Sequence, residues 1–101
     1  MYQLLFDKKF VKNYRKIGKS LQIEGDKKLK RLKENPEIMG KPLKFFHNLY
    51  ELYLQMYRIY YAIDEAKKKI LVLDIEHIDE QEKYLRQLTS EKIKQLLEEN
   101  L

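Results

Sequence analysis

The stretch from Leu49 to Ile63 carries the residues whose chemistry stands out: Glu51, Tyr53, Arg58 and Tyr60. Runs rich in aromatic and β-branched residues flank Gln55-Met56 and read as two strands, 45–54 and 57–63. Alternate residues of a strand share a face. In the second strand Ile59, Tyr61 and Ile63 form an apolar set, and Arg58, Tyr60 and Ala62 form the other. With Leu52 and Leu54 turned to the interior, Glu51 and Tyr53 join Arg58 and Tyr60. A guanidinium grips phosphate in two places, phenol rings stack on bases, and a carboxylate takes up a proton. The same residues also compose an ordinary cross-strand Arg–Glu pair flanked by surface aromatics, which stabilises a hairpin. Strand geometry leaves both readings open.

The rest of the chain supplies the frame. Residues 1–6 are a short apolar run that reads as a first strand. Asp7 stands where a helix N-cap belongs. Phe10, Val11, Tyr14 and Ile17 follow at helical spacing, with Lys8, Lys9, Lys12, Arg15 and Lys16 between them, so the first helix is amphipathic with a basic outer face. Gly18 is placed to end it. Ser20 can cap a second helix through Lys33, carried by Leu21, Leu29 and Leu32, and Gly25 weakens that helix. Asn35-Pro36 and Gly40-Lys41-Pro42 mark a loop, with residues 37–39 a turn. A third strand of the later group spans 69–75, after the polar turn at 64–67, and three strands at such short intervals form an antiparallel meander. Thr89 or Ser90 caps a last helix over 91–99, with Ile93, Leu96 and Leu97 on one side. That helix has two possible fates, core packing on the sheet or occupation of a partner's groove. The expected order is β-α-α-β-β-β-α. This is an α+β domain, with a small antiparallel sheet packed by one face against an N-terminal helical hairpin, plus a C-terminal helix at about 89–100.

The chain has 101 residues, which is one domain, 1–101. Cysteine is absent, which excludes a disulfide framework, a thiolate zinc site and a cysteine nucleophile. Two histidines 30 residues apart, His47 and His77, are a poor ligand set, and no metal or other cofactor is expected. His47 reads as a surface or edge residue. No apolar stretch approaches the ~20 residues of a membrane helix, and the N-terminus lacks a signal-peptide pattern. These features point to a cytoplasmic domain with no membrane partner. The net charge of +5 is uneven: residues 1–50 carry +8 and residues 51–101 carry −3. A basic half can bind phosphate groups, and the acidic half argues against a protein that coats duplex DNA.

Four pieces of the chain resemble, in order and spacing, the RelE/ParE toxin superfamily. They are Phe6-Asp7-Lys8-Lys9-Phe10, Gly40-Lys41-Pro42-Leu43-Lys44, Leu49-Tyr50-Glu51-Leu52 leading to Tyr57-Arg58-Ile59-Tyr60-Tyr61-Ala62-Ile63-Asp64, and Ile75-Glu76-His77 followed by Lys83-Tyr84-Leu85-Arg86. Together they cover roughly residues 1–88. The resemblance implies the toxin of a type II toxin–antitoxin system, silenced by a cognate antitoxin. RelE-like members cleave mRNA in the ribosomal A site without a metal, through attack of a ribose 2′-hydroxyl on the adjacent phosphate. ParE-like members inhibit DNA gyrase instead, and a non-toxic member would only bind its antitoxin.

Carried over by position, the resemblance makes Arg58 the central arginine that stabilises the transition state. Tyr84 matches the C-terminal tyrosine, and His77 falls where members carry His or Lys; either would protonate the leaving oxygen or stack on a base. Glu51 is implied as general base. Lys41, Lys44, Tyr53, Tyr60 and Arg86 are implied as RNA contacts. The chain departs from the pattern in three places. Glu51 and Tyr53 stand where basic residues are common, Ile78 where a second arginine is common, and Gln55-Met56 where the hairpin before Arg58 usually has Gly-Asp. The last change removes the residue that most easily takes a positive φ and threatens the register of Arg58.

Overall fold

The computed structural model describes residues 1–44, 46 and 48–100. Phe45 and His47 therefore lie outside the described residues, as does the expectation that His47 is a surface or edge residue.

The first strand, β1 (Gln3–Phe6), leads into helix α1 (Lys8–Tyr14). Asp7 is the N-cap, its carboxylate accepting from the Lys9 N–H at 3.1 Å. Helix α2 spans Lys19–Leu32. Gly18 is its N-cap and so opens the second helix; it does not close the first, which already ends at Tyr14. Gly25, in the middle of α2, is where Tyr14 crosses the helix: a Cβ there would collide with the Tyr14 ring. The Tyr14 hydroxyl sits 2.8 Å from both Gln22 O and Asp26 Oδ1. The residue that weakens the helix locally thus permits the packing of α1 on α2.

A single helical turn, α3 (Pro36–Met39), and a two-residue strand, β2 (Lys41–Pro42), follow. Next come β3 (Leu49–Leu54), β4 (Tyr57–Asp64) and β5 (Lys69–His77). The chain then makes a 3-10 turn (Ile78–Glu80) and two helices, α4 (Gln81–Gln87) and α5 (Ser90–Asn100). Thr89 caps α5, its Oγ1 accepting from the Lys92 N–H at 3.1 Å.

Among the described residues the five strands form one sheet in the order β1-β5-β4-β3-β2. The expected meander β3-β4-β5 is present and antiparallel. The sheet as a whole is mixed, because β1 pairs with β5 in parallel, Leu4 beside Ile70 and Phe6 beside Val72. The α1–α2 hairpin, β3 and β4 lie between these two strands in sequence and supply the crossover that a parallel pair requires.

The helices do not all lie on one face. On the first face Phe10, Ile17, Leu29 and Leu32 of the α1–α2 hairpin pack on Leu52, Leu54, Ile59, Tyr61, Ile63, Ile70, Val72 and Ile75. On the second, α4 and α5 bring Tyr84, Leu88 and Ile93 onto Leu49, Tyr60, Ala62, Leu71 and Leu73, with Leu96 and Leu97 alongside. The apolar stripe of α5 is therefore core. The same strand alternation that gives β3–β5 an apolar set on one side gives them a second apolar set on the other, and each needs a cover. Among the described residues no helix is long and apolar enough to cross a membrane.

Candidate functional site

The site face is the part of the second sheet face that α5 leaves uncovered. Registers fix its layout. Tyr53 on β3 stands opposite Arg58 on β4, and Arg58 stands opposite Glu76 on β5. The neighbouring row runs Lys41, Glu51, Tyr60, Asp74 across β2 to β5. The hairpin register on which this depends survives the missing Gly-Asp. Gln55 itself takes φ 52°, and Leu54 still pairs with Tyr57.

Arg58 is held from two sides. Its Nη1 donates to Gln55 O at 2.7 Å and Tyr57 O at 2.8 Å. Its Cζ lies 3.8 Å from the centroid of the Tyr53 ring, a cation–π contact that orients the planar fork. No described carboxylate forms an ion pair with it. The cross-strand Arg58–Glu51 pair is therefore not formed, because Arg58 faces Tyr53 and not Glu51. Tyr53 remains 40% exposed. Lys41 Nζ lies 5.0 Å from its ring centroid, and Lys28 Nζ donates to its carbonyl at 2.6 Å. An exposed aromatic ring flanked by Arg58 and Lys41 suits a nucleotide and its phosphate.

Glu51 is nearly buried and accepts from the amide of Gln81, the first residue of α4. Tyr60 and Tyr84 stack with centroids 4.6 Å apart. Burial pushes both phenols well above their ordinary range. Tyr60 is wholly buried and Tyr84 is 9% exposed, so neither is a surface for RNA. For Tyr60 this corrects the expectation of an RNA contact: α4 lies across it. His77 follows Glu76 on β5 and so points to the opposite sheet face from Arg58. It meets the Tyr57 ring edge-on, with centroids 5.4 Å apart, and its Nδ1 accepts from the Asp79 N–H at 3.1 Å. It caps the 3-10 turn and is not brought to the site. Arg86 is exposed on α4 and pairs with Glu82. Lys44 is exposed in the β2–β3 connection.

The sequence reading missed a second cluster beside Arg58. The β4–β5 register shifts between Tyr60 and Tyr61, with Tyr60 opposite Asp74 and Tyr61 opposite Val72. The bulge places Asp74 in the interior with no exposure at all. Its Oδ1 accepts from Asn13 Nδ2 and from the Ile75 N–H, both at 2.8 Å, and Lys9 Nζ stands 3.3 Å from Oδ2. Glu76 is half-buried against it. Burial first and the Asp74 carboxyl second push Glu76 up to about 7, with Lys9 opposing and Glu80 adding to the effect. Glu76 opens onto a cleft shared with Lys9, Glu80, Lys83, Tyr84 and Gln87. A carboxylate interrupting the apolar run Ile70-Leu71-Val72-Leu73 was the available signal. A third strand ending at 75 stopped one residue short of Glu76.

No protein-family model matches the chain. The mRNA interferase toxin RelE of Escherichia coli K12 is 29% identical over 98 residues, which is 95% of this chain and 98% of RelE. Among solved structures, the intact E. coli RelBE toxin–antitoxin complex matches 76% of this chain and 96% of its own, with TM-score 0.70 and 28% identity. The isolated E. coli RelE toxin matches 87% of this chain and 100% of its own, with TM-score 0.70 and 26% identity. In sequence over nearly its whole length, and in the course of its backbone, this chain is similar to the RelE toxins.

Proposed function

We propose that this protein is the toxin of a type II toxin–antitoxin pair, an endoribonuclease that cuts mRNA in the ribosomal A site and is neutralised by a cognate antitoxin. The likeness to the mRNA interferase RelE and to the RelBE complex supports the class. The observation that carries the chemistry is the Arg58 fork laid on Tyr53, with Glu51 beside it on the same face.

In this reading an RNA nucleotide packs against the exposed part of the Tyr53 ring, and Lys41 meets a flanking phosphate, with Lys44 further along the strand. Arg58 holds the scissile phosphate. Its donors other than Nη1 have no described partner, so they are free to meet the charge that grows on phosphorus. Glu51 accepts the proton of the attacking 2′-hydroxyl, and Gln81 keeps that carboxylate in place.

Primer extension on mRNA translated in a cell-free system tests the reading. Discrete cuts within codons, absent with Arg58→Ala and absent when antitoxin is co-expressed, are the expected result. Intact mRNA with uninterrupted translation in the presence of the wild-type protein would sink it.

A further inference from the structure

Cleavage by an internal 2′-hydroxyl needs two proton movements, one off the attacking oxygen and one onto the departing 5′-oxygen. Glu51 serves the first in the reading above. The residues that the resemblance assigned to the second are badly placed. Tyr84 is packed under its own helix against Tyr60, with burial raising its phenol. His77 caps a turn on the other sheet face.

Glu76 is well placed. It is the direct neighbour of Arg58 on β5, whereas Glu51 sits on β3, on the other side of β4. Two strands flanking a third stand about 10 Å apart. Glu51 and Glu76 therefore flank the β4 row of Arg58 and Tyr60, one on each side, the disposition that an in-line displacement on a phosphate at Arg58 calls for. Glu76 also has a reason to carry a proton. Asp74 is wholly buried, and its Oδ2 has no hydrogen-bond donor among the described residues, with only the Lys9 ammonium nearby as a charge. A proton on Glu76 supplies that donor. The other groups around Glu76 are Arg58 and Tyr60 from β4, Glu80 from the 3-10 turn, and Lys83 and Tyr84 from α4.

We propose that Glu76, positioned by Asp74, is the general acid of the cleavage, an assignment that rests on the ribonuclease reading. The 2′-oxygen bonds to phosphorus and gives its proton to Glu51. The bond from phosphorus to the 5′-oxygen breaks, and Glu76 passes its proton to that oxygen. The products are a 2′,3′-cyclic phosphate and a 5′-hydroxyl. The Glu76 carboxylate is left in the cleft with Lys9 and Lys83 until water reprotonates it and Glu51 releases its proton.

The test replaces the departing oxygen by sulfur. A short mRNA with a single 5′-bridging sulfur at the cleaved step is placed on programmed ribosomes, beside the all-oxygen message. A thiolate departs without a proton. Glu76→Gln keeps the fold because its amide N–H can serve Asp74 Oδ2, and a thermal melt checks this. It should cut the oxygen message about 100-fold or more slowly, yet cut the sulfur message within about threefold of wild type. Glu51→Gln should be slow on both. Glu76→Gln cutting the oxygen message at the wild-type rate, or being equally impaired on both messages, would overturn the assignment. Wild-type protein that leaves both messages intact would overturn the ribonuclease reading beneath it.

Discussion

Arg58 shows how much a single side chain depends on its immediate company. Two backbone carbonyls and one aromatic face fix the guanidinium before any ligand arrives. Arg58→Ala should lower mRNA cleavage by about 100- to 1,000-fold, the scale of losing one transition-state donor, while leaving the thermal midpoint nearly unchanged because the side chain covers no core. Tyr53→Phe should keep the platform and the activity, and Tyr53→Ala should raise the RNA concentration needed for half-maximal cleavage, read from the same assay. Glu76 makes a prediction about pH. Its carboxyl is pushed from an ordinary 4.5 up to about 7 in the folded chain. Between those values the native state keeps a proton that the unfolded chain has released, so stability is full below pH 4.5 and is lost as pH rises through about 7. Solvent at this half-exposed group limits the loss to about 1 kcal/mol. Thermal melts between pH 4.5 and 8 should show the decline in wild type and a flatter profile in Glu76→Gln. The alternation of β3 and β4 was enough to place Glu51, Tyr53 and Arg58 on one face from sequence. For Asp74 and Glu76 the bulge breaks that alternation, so the carboxylate after the apolar run marked an unusual position without telling which face it takes.

At the level of the elements, local preference and tertiary demand disagree in two places. Gln55 holds a positive φ in the turn between β3 and β4, a conformation that L-residues resist by about 1–2 kcal/mol. Gln55→Gly should therefore add up to about 1 kcal/mol to the unfolding free energy from urea titration, once the extra freedom of unfolded glycine is set against the relief. Gly25 runs the other way. Helix propensity favours Gly25→Ala, but the new methyl meets the Tyr14 ring, and the strain should cost about 1–3 kcal/mol in the same measurement. On the second face, Ile93 is 4% exposed, and Ile93→Ala should cost about 2–4 kcal/mol. Helices α1, α2 and α5 and the three long strands were readable because their apolar spacing runs long enough to show a period. Helix α4 was not: Asp79-Glu80-Gln81-Glu82 reads as solvated, and the only apolar marks of the helix, Tyr84, Leu85 and Leu88, come late. The parallel pairing of β1 was also out of reach, since a lone strand says nothing of its direction.

Across the whole molecule, the uneven charge of the sequence acquires a shape. Lys41 at the Tyr53 ring and Lys28 at the Tyr53 carbonyl stand on the β2–β3 side of Arg58, while Glu76, Glu80 and Asp74 lie on the β5 side with Lys9 and Lys83 among them. RNA affinity should then fall with salt on a shallow logarithmic slope of about −2 to −3, the release expected for three or four phosphates of a single strand. A filter-binding titration over salt measures it directly. The sheet has a further property as an object in solution. An outermost strand is a template on which another chain can add its own. On one flank the outermost strand among the described residues is only Lys41 and Pro42, paired with Glu51 and Tyr50 of β3. A strand two residues long, one of them without an N–H, gives an incoming backbone almost nothing to hold. Growth of the sheet by addition of copies finds no hold along β2, so the short strand that brings Lys41 to the Tyr53 ring also guards part of the margin of the fold against aggregation.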